Sequence, residues 1–459
     1  MDEEKVSVTI GVEVHVPLKT QQKLFCSCPT NYYELETPNV NVCPVCTGMP
    51  GSKPYPINES AIETVVMIAE LLNCEIEKEN IFIKRKHYNY PDLPSGYQRT
   101  SEPIGKKGKL NGIGLWEVHI EEDPGRYDLD SGRVDYNRSG CPLIEIVSAP
   151  EMHSPEEMRN FLKELTNLLK YTGRVADVGG IMRADVNISI EGGSKVEIKN
   201  INSVHGAYKA VLYEIVRQKS LMKRGIAVKQ ETRGFNEKSL ITQSQRLKES
   251  AADYRYIPDP DIPPQKFEEK FIASIELPET PQRLKDRIIA TYKVEPKYAD
   301  TLVRNKPLAD AFLTVAAEKG IDSALAAKWL CEEVTAQINF RGVEYDETKL
   351  SNKILVSWLR LIEHKKVTDI VAKKLLERFI DSGEDPTEIV KKEGLAVVAD
   401  TSALAQVVEA VLKENSQAAA DLKSGNTKSM NFLMGKVMKQ MRGAADADTT
   451  RKLIDEKTR

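Results

Sequence analysis

The sequence predicts an α+β protein: a largely antiparallel-sheet region, then a helical region, then a small helical tail. Three observations predict it. Strictly alternating segments come in groups rather than singly between helices, which favours antiparallel pairing over a βαβ winding. Well-capped amphipathic helices interrupt those groups. Proline-rich punctuation then marks the change to mostly helical sequence. The expected regions are residues 1–277, 278–395 and 396–459.

The first strand is the clearest element. Val6, Val8, Ile10, Val12, Val14, Val16 and Leu18 fall on every second position, the pattern of a half-buried strand, and the opposite face carries Thr9, Gly11, Glu13 and His15. A helix follows Asn58 and buries Ile62, Val65, Val66, Ala69 and Leu72. In the strand Gly114–Asp123, Trp116, Val118 and Ile120 are expected on one face and Glu117, His119 and Glu121 on the other. Glu122 and Asp123 follow where that strand ends. Ser154-Pro155-Glu156-Glu157 is a capping box, and Met158, Phe161, Leu162, Leu165, Leu168 and Leu169 form one apolar helical stripe after it. A third strand, Ile181–Ile190, sets Met182, Ala184, Val186, Ile188 and Ile190 against Arg183, Asp185, Asn187 and Ser189. A helix from about Ala207 turns Val211, Leu212 and Ile215 inward. The segment Tyr256–Pro264 holds too many prolines for a helix and reads as an extended strap. Thr280-Pro281 then supplies the cap and first residue of the next helix.

Composition narrows the function classes. With 459 residues, 41% of them hydrophobic, the chain can bury a sizeable core over two or three domains. A net charge of -3 does not advertise a nucleic-acid partner, so any basic surface must be local. No apolar run reaches the ~20 residues of a membrane span. Met1–Lys5 is acidic and polar, unlike a signal peptide. Seven cysteines, an odd number with four clustered, suit a reducing compartment. A cytoplasmic protein with no membrane contact is expected.

The polar faces of the three strands are where chemistry is expected. Polar residues on an outer sheet face are ordinarily just solvated. Glu13, Glu121, Glu122 and Asp185, however, are oxygen ligands suited to Mg²⁺ or Mn²⁺, and brought to one place they would repel unless a cation or proton intervened. His15 fits Mn²⁺ better than Mg²⁺: it reads as a ligand for Mn²⁺, a weak ligand for Mg²⁺ or a group behind the ligands, and a lone strand histidine is ordinarily structural.

Cys26-Ser-Cys28 and Cys43-Pro-Val-Cys46 resemble a zinc knuckle, four thiolates filling a tetrahedral structural Zn²⁺ site with no open position. The plainer alternative is four reduced thiols in a loop. Cys74, Cys141 and Cys331 stand apart. Neither a P-loop nor a Rossmann fingerprint occurs: Gly105-Lys-Lys-Gly-Lys109 lacks the spacing that cradles phosphate. Use of a nucleotide must rest on metal ions and basic side chains.

Taken together these motifs resemble the B-subunit family of aspartyl/glutamyl-tRNA amidotransferases over nearly the whole chain. The resemblance is carried by Gly11-Val-Glu-Val-His15, Cys43-Pro-Val-Cys46 with Gly48-Met-Pro-Gly51, Tyr90-Pro-Asp-Leu-Pro94, His119-Ile-Glu-Glu-Asp123, Pro142-Leu-Ile-Glu-Ile146, Arg183-Ala-Asp-Val-Asn187, Glu197-Ile-Lys-Asn200 and Gln230-Glu-Thr-Arg-Gly234. It implies a subunit that transfers the γ-phosphoryl group of ATP to the side-chain carboxylate of a mischarged Asp-tRNA(Asn) or Glu-tRNA(Gln). A partner A subunit, a glutaminase, supplies ammonia, and a small C subunit clamps the two. It also implies that Glu13, His15, Glu121, Glu122 and Asp185 are metal-associated, and that Lys86 and Tyr88 lie on the ammonia path. For those two, a surface lysine and a packed tyrosine remain the plain alternative. The chain is too short for the inserted domain of the paralogous E subunit.

The tail is basic. The resemblance to the family's tail implies that Lys428, Lys436, Lys439 and Arg442 contact tRNA phosphates, with Phe432, Leu433, Val437 and Met441 as the buried stripe of their helix. Basic helix faces are often merely solvated. A protein of another class, a non-catalytic tRNA-binding scaffold whose metals only hold shape, is separated by replacing Asp185: only the enzyme would lose turnover.

Overall fold

The computed structural model describes residues 7–128, 130–176, 182–247, 254–397, 401–423, 427–441 and 443–458. Val6, Ile181, Asp253 and Arg442 lie outside them. The chain divides into two compact units, Met1–Thr280 and Pro281–Arg459.

The first unit is built on one large sheet. From one edge to the other its strands run 241–247, 231–236, 196–201, 183–190, 8–17, 142–148, 113–122, 97–101, 83–87 and 257–258. Every adjacent pair is antiparallel except 196–201 with 231–236, which is parallel. Alternation does what the sequence predicts. Ile10, Val12, Val14 and Val16 of the Val8–Pro17 strand are buried to within 1% and join Ala184, Val186 and Ile188 of its neighbour in one core. Helices Glu59–Leu71, Pro155–Thr172 and Val204–Lys223 supply the rest of that core, leaving the opposite face of the sheet to polar side chains. Asn58, Ser154 and Ser203 cap these helices, each side chain accepting from a backbone N–H of the first turn.

Two expectations fail for physical reasons. In the Ile113–Glu122 strand a bulge falls between Leu115 and Glu117. The extra residue inverts the phase, so Leu115 takes the core position and Trp116 stands 57% exposed on the polar side. In the Val204–Lys223 helix Val211 is buried and Ile215 packs half-buried against the core as expected, but the buried face also carries Glu214 and Gln218, and Leu212 is only half-buried. Glu214 is tolerated there because Arg217 and Gln218 donate to it.

The proline-rich strap is extended, as expected. Ile257 and Pro258 pair with Arg85 and Lys84 at the sheet edge. Just beyond, Asp259 is buried between the guanidinium groups of Arg85 (2.9 Å) and Arg99 (2.8 Å), which ties the strap down. The second unit is helical throughout its named elements and begins with the helix at Pro281. Trp329, Trp358 and Phe379 meet edge to face in one part of it. Leu404, Val408, Val411, Leu433, Val437 and Ile454 form a separate core near the end. Among the described residues no helix is long and apolar enough to cross a membrane.

Candidate metal and phosphoryl-transfer site

Strand register builds the site. Glu13 lies directly opposite Asp185 on one side, and His15 lies opposite Glu145 on the other. His119 faces the same Glu145 from the third strand, and Asn187 is opposite Glu197 on the fourth. The polar face therefore carries two adjacent groups of ligands spread over five neighbouring strands. In each group the ligand atoms lie within 4.8 Å of one another: His15, Glu121 and Glu145 in one, Glu13, Asp185 and Glu197 in the other.

In the first group His15 Nε2 is 3.2 Å from Glu121 Oε1 and 3.7 Å from Glu145 Oε1. Burial alone would pull the His15 imidazole down, but the hydrogen bond and charge of Glu121, with Glu145 and Asp185, raise it to about 9. Burial and the nearby Glu121 charge push Glu145 up. Burial also works against charge on Glu121, yet His15 and Lys86 hold it below the usual carboxylate range. In the second group Lys199 Nζ donates to Asp185 Oδ2 at 2.6 Å and lies 3.6 Å from Glu197. Asn187 donates to Glu13 at 2.9 Å, and the Thr232 hydroxyl donates to Glu197 at 2.8 Å. Burial disfavours the Lys199 ammonium, but Asp185, Glu197 and Glu13 raise its pKa, so it is a cation already among the three carboxylates.

The donor sets discriminate. Three carboxylates suit a hard oxygen-seeking cation such as Mg²⁺, and Lys199 shows that this patch attracts positive charge. The imidazole of the other group suits Mn²⁺ as well. An apolar-walled cleft of about 290 Å³, lined by Glu13, Asn187, Trp116, Pro150 and Lys195 among others, opens beside the second group.

Four of the five expected metal-associated residues, Glu13, His15, Glu121 and Asp185, come to this face. Glu122 does not. One residue past Glu121, it points the other way and meets Arg99 at 3.4 Å. The sequence reading missed Glu145 and Glu197. A lone carboxylate inside the apolar run Leu143-Ile-Glu-Ile-Val147, and the alternation of Val196-Glu-Ile-Lys199, were the available signals. Lys86 is half-buried against the first group: Glu121, Tyr256 and Glu145 outweigh the cost of burial and raise its pKa, and its ammonium sits 4.8 Å from the Tyr254 ring. Tyr88 donates to Gln98 at 3.3 Å and packs edge-on against Tyr90 and Tyr254.

The pH dependence of the first group follows from the raised His15 pKa. In metal-free protein its contribution to stability is fully present below the ordinary value near 6.5 and is lost as pH rises through about 9. His15→Gln should therefore lower the melting temperature more at pH 6 than at pH 9.5. An equal loss at both would show that His15 is not held as a cation there.

The four cysteines also converge. Cys46 Sγ lies 3.8 Å from Cys43 Sγ and 4.0 Å from Cys28 Sγ. These spacings are close to the ~3.8 Å edge of a tetrahedron with ~2.3 Å Zn–S bonds. Cys26 completes the set, and none of the seven cysteines is in a disulfide.

In the tail, Lys428, Lys436 and Lys439 are exposed along the Thr427–Gln440 helix. Leu433 and Val437 are buried, as expected, but Phe432 is 49% exposed among the lysines rather than part of the buried stripe.

Comparison with known proteins shows the family. Residues 8–273 match the GatB/GatE catalytic domain family, and residues 310–458 match the GatB domain family. Several relatives, each named as the B subunit of an aspartyl/glutamyl-tRNA(Asn/Gln) amidotransferase, are similar end to end. That of Methanothermobacter thermautotrophicus is 49% identical over 97% of this chain and 99% of its own. That of Methanosphaera stadtmanae is 47% identical over 97% and 98%, and that of Methanocaldococcus jannaschii 46% identical over 99% and 98%. The chain belongs to the B-subunit family of aspartyl/glutamyl-tRNA(Asn/Gln) amidotransferases.

Proposed function

We propose that this protein activates the side-chain carboxylate of mischarged Asp-tRNA(Asn), Glu-tRNA(Gln) or both with ATP, and that ammonia then completes the amidation. The single observation that carries the reading is the pair of ligand groups on one sheet face, with Lys86 and Lys199 beside them. A carboxylate oxygen is a poor leaving group. Its attack on the γ-phosphorus of ATP expels ADP and gives an acyl phosphate. Attack of ammonia on the acyl carbon then expels phosphate and leaves the amide.

Phosphoryl transfer is mostly positioning and neutralisation of charge, which suits a scaffold with no phosphate-binding glycine loop. Glu13, Asp185 and Glu197 would hold one Mg²⁺, and His15, Glu121 and Glu145 a second Mg²⁺ or Mn²⁺. Bound there, divalent ions supply charge neutralisation at the phosphoryl oxygens. The chain's own residues do the rest. Asn187 and Thr232 orient carboxylates, and Lys199 screens them. Lys86, with its raised pKa, stays an ammonium and orients charge rather than accepting a proton. Together with Tyr88 and Tyr254 it would line an approach of half-buried side chains, and a path that excludes water favours uncharged ammonia over ammonium. Glu122 belongs instead to the Arg99 network that fixes the strand end. Cys26, Cys28, Cys43 and Cys46 would hold a structural Zn²⁺.

The remaining assignments follow the same reading. Glutamine hydrolysis falls to an A subunit and clamping to a C subunit, in the cytoplasm. Residues 1–277 form the catalytic cradle, 278–395 a helical domain and 396–459 a tail that holds tRNA through Lys428, Lys436, Lys439 and Arg442. The test is ATP cleavage with ammonia as amine donor and each mischarged tRNA in turn. Cleavage should require the mischarged tRNA, and hydroxylamine should trap the acyl phosphate as a hydroxamate. No hydroxamate with either tRNA would leave the scaffold role standing instead.

A further inference from the structure

We infer that the exposed face of the Thr427–Gln440 helix takes one unstacked base of an RNA loop: the base lies on Phe432, its flanking phosphates meet Lys436 and Lys439, and its backbone closes onto Gly435. The inference rests on the proposed tRNA-holding role of the tail and adds to it a contact that is not electrostatic.

Helical spacing places the residues. Steps of three, four and seven bring Lys428, Phe432, Gly435 and Lys439 onto one stripe, with Lys436 at its edge. Met430, Leu433 and Val437 face the other way into the tail core. Phe432 is thus not needed to fill that core, yet a large ring stands half in water there. The Lys436 ammonium lies 5.3 Å from its centroid, so the ring is already flanked by a cation.

Gly435 is the second, independent observation. It lies in mid-helix, where glycine is the poorest choice after proline. A side-chain carbon added there would meet nothing within 4 Å, so no internal contact requires its absence. The backbone is bare at the centre of a stripe of lysines and an aromatic ring, which is what close approach by another chain's backbone needs. The lysines make that chain a polyanion. The ring makes it one with a base out of its stack, because paired bases hide their faces.

The experiment uses the full chain, an unacylated tRNA transcript, and a blunt RNA duplex of similar charge, over a range of salt. Phe432→Ala should weaken tRNA binding about ten-fold with the salt slope unchanged. Phe432→Trp should retain binding. Lys436→Gln should reduce the slope by about one. Gly435→Ala should weaken tRNA binding while leaving the melting temperature equal or higher, a combination that a purely structural glycine does not give. Neither Phe432→Ala nor Gly435→Ala should alter duplex binding. Unchanged tRNA affinity in both variants, or an equal loss on tRNA and duplex, would overturn the inference while leaving the basic tail a phosphate binder. Wild-type chain that fails to bind tRNA would remove the tail reading as well.

Discussion

Asp185→Asn is expected to lower tRNA-dependent ATP cleavage by about 100- to 1000-fold while the protein keeps its fold and its affinity for tRNA. The change is nearly isosteric and removes one charge from the middle of the second ligand group. Asp185 is the cross-strand partner of Glu13 and the acceptor of the Lys199 hydrogen bond at 2.6 Å, so its carboxylate links two elements of the group at once. An amide in its place weakens the field that would gather a divalent cation, and it leaves Lys199 with Glu197 and Glu13 as its remaining carboxylates. The strand itself should not suffer. Its core side is Ala184, Val186 and Ile188, and Asp185 is on the opposite face. Hydroxamate formation reads the chemistry, melting temperature reads the fold, and tRNA titration reads binding. A variant that still forms hydroxamate within a few-fold of wild type would sink the assignment of this group to phosphoryl transfer. If melting temperature fell in step with activity, the group would be a structural knot instead.

That Asp185 is legible in the sequence as a site residue, while Glu145 and Glu197 are not, has a physical reason. Alternation tells which side chains of one strand share a face, and it did so for Glu13, His15 and Asp185. It does not tell which strands are neighbours. Glu145 became a candidate only when the Pro142–Ser148 strand was found between Val8–Pro17 and Ile113–Glu122. Glu197 needed the pairing of Asn187 with its strand. Alternation also runs only as far as the ladder is regular. The bulge at Leu115–Glu117 exposed Trp116 against expectation, and the parity after it sent Glu121 to the ligand face and Glu122 to Arg99. The helices were easier, since capping side chains and apolar stripes are local signals. The exception, Glu214 on a buried face, depends on Arg217 and Gln218 from its own helix and on Thr242 from a strand.

The cysteine cluster was legible from spacing alone, and it carries the largest expected effect on stability. Replacing Cys46 by serine should release bound zinc and cost at least about 3 kcal/mol, roughly 5–10 °C in the melting temperature of the first unit. Two losses combine. Structural zinc contributes folding energy outright, on the order of 10 kcal/mol in small zinc domains, though a loop anchored on a large core depends on it less. Here the anchor is real: the Ser139 hydroxyl donates to the Cys46 carbonyl and Leu24 N–H donates to the Gly140 carbonyl. The second loss is electrostatic. Lys23 is only 1% exposed, and its ammonium lies 3.5 Å from Cys46 Sγ. The hydrogen bond from Cys26, and then the Lys23 charge, pull the Cys46 thiol down to about 5, so it is the thiolate that keeps Lys23 neutralised. Serine cannot ionise to replace it, and Lys23 keeps only the carbonyls of Asn41 and Tyr136. The sign with pH follows. In metal-free protein the contribution of Cys46 is fully present above the ordinary thiol value near 9 and is lost as pH falls through about 5; zinc, which needs the thiolates, should leave wild-type protein on acidification. Cys28→Ser, at a half-buried position without a lysine partner among its hydrogen bonds, should release zinc with a smaller loss of stability. Metal analysis and calorimetry on the two variants separate the two losses. Equal destabilisation would mean that Lys23 gains nothing from Cys46, and zinc-free wild-type protein with the same melting temperature would mean that the four thiols hold the loop unaided.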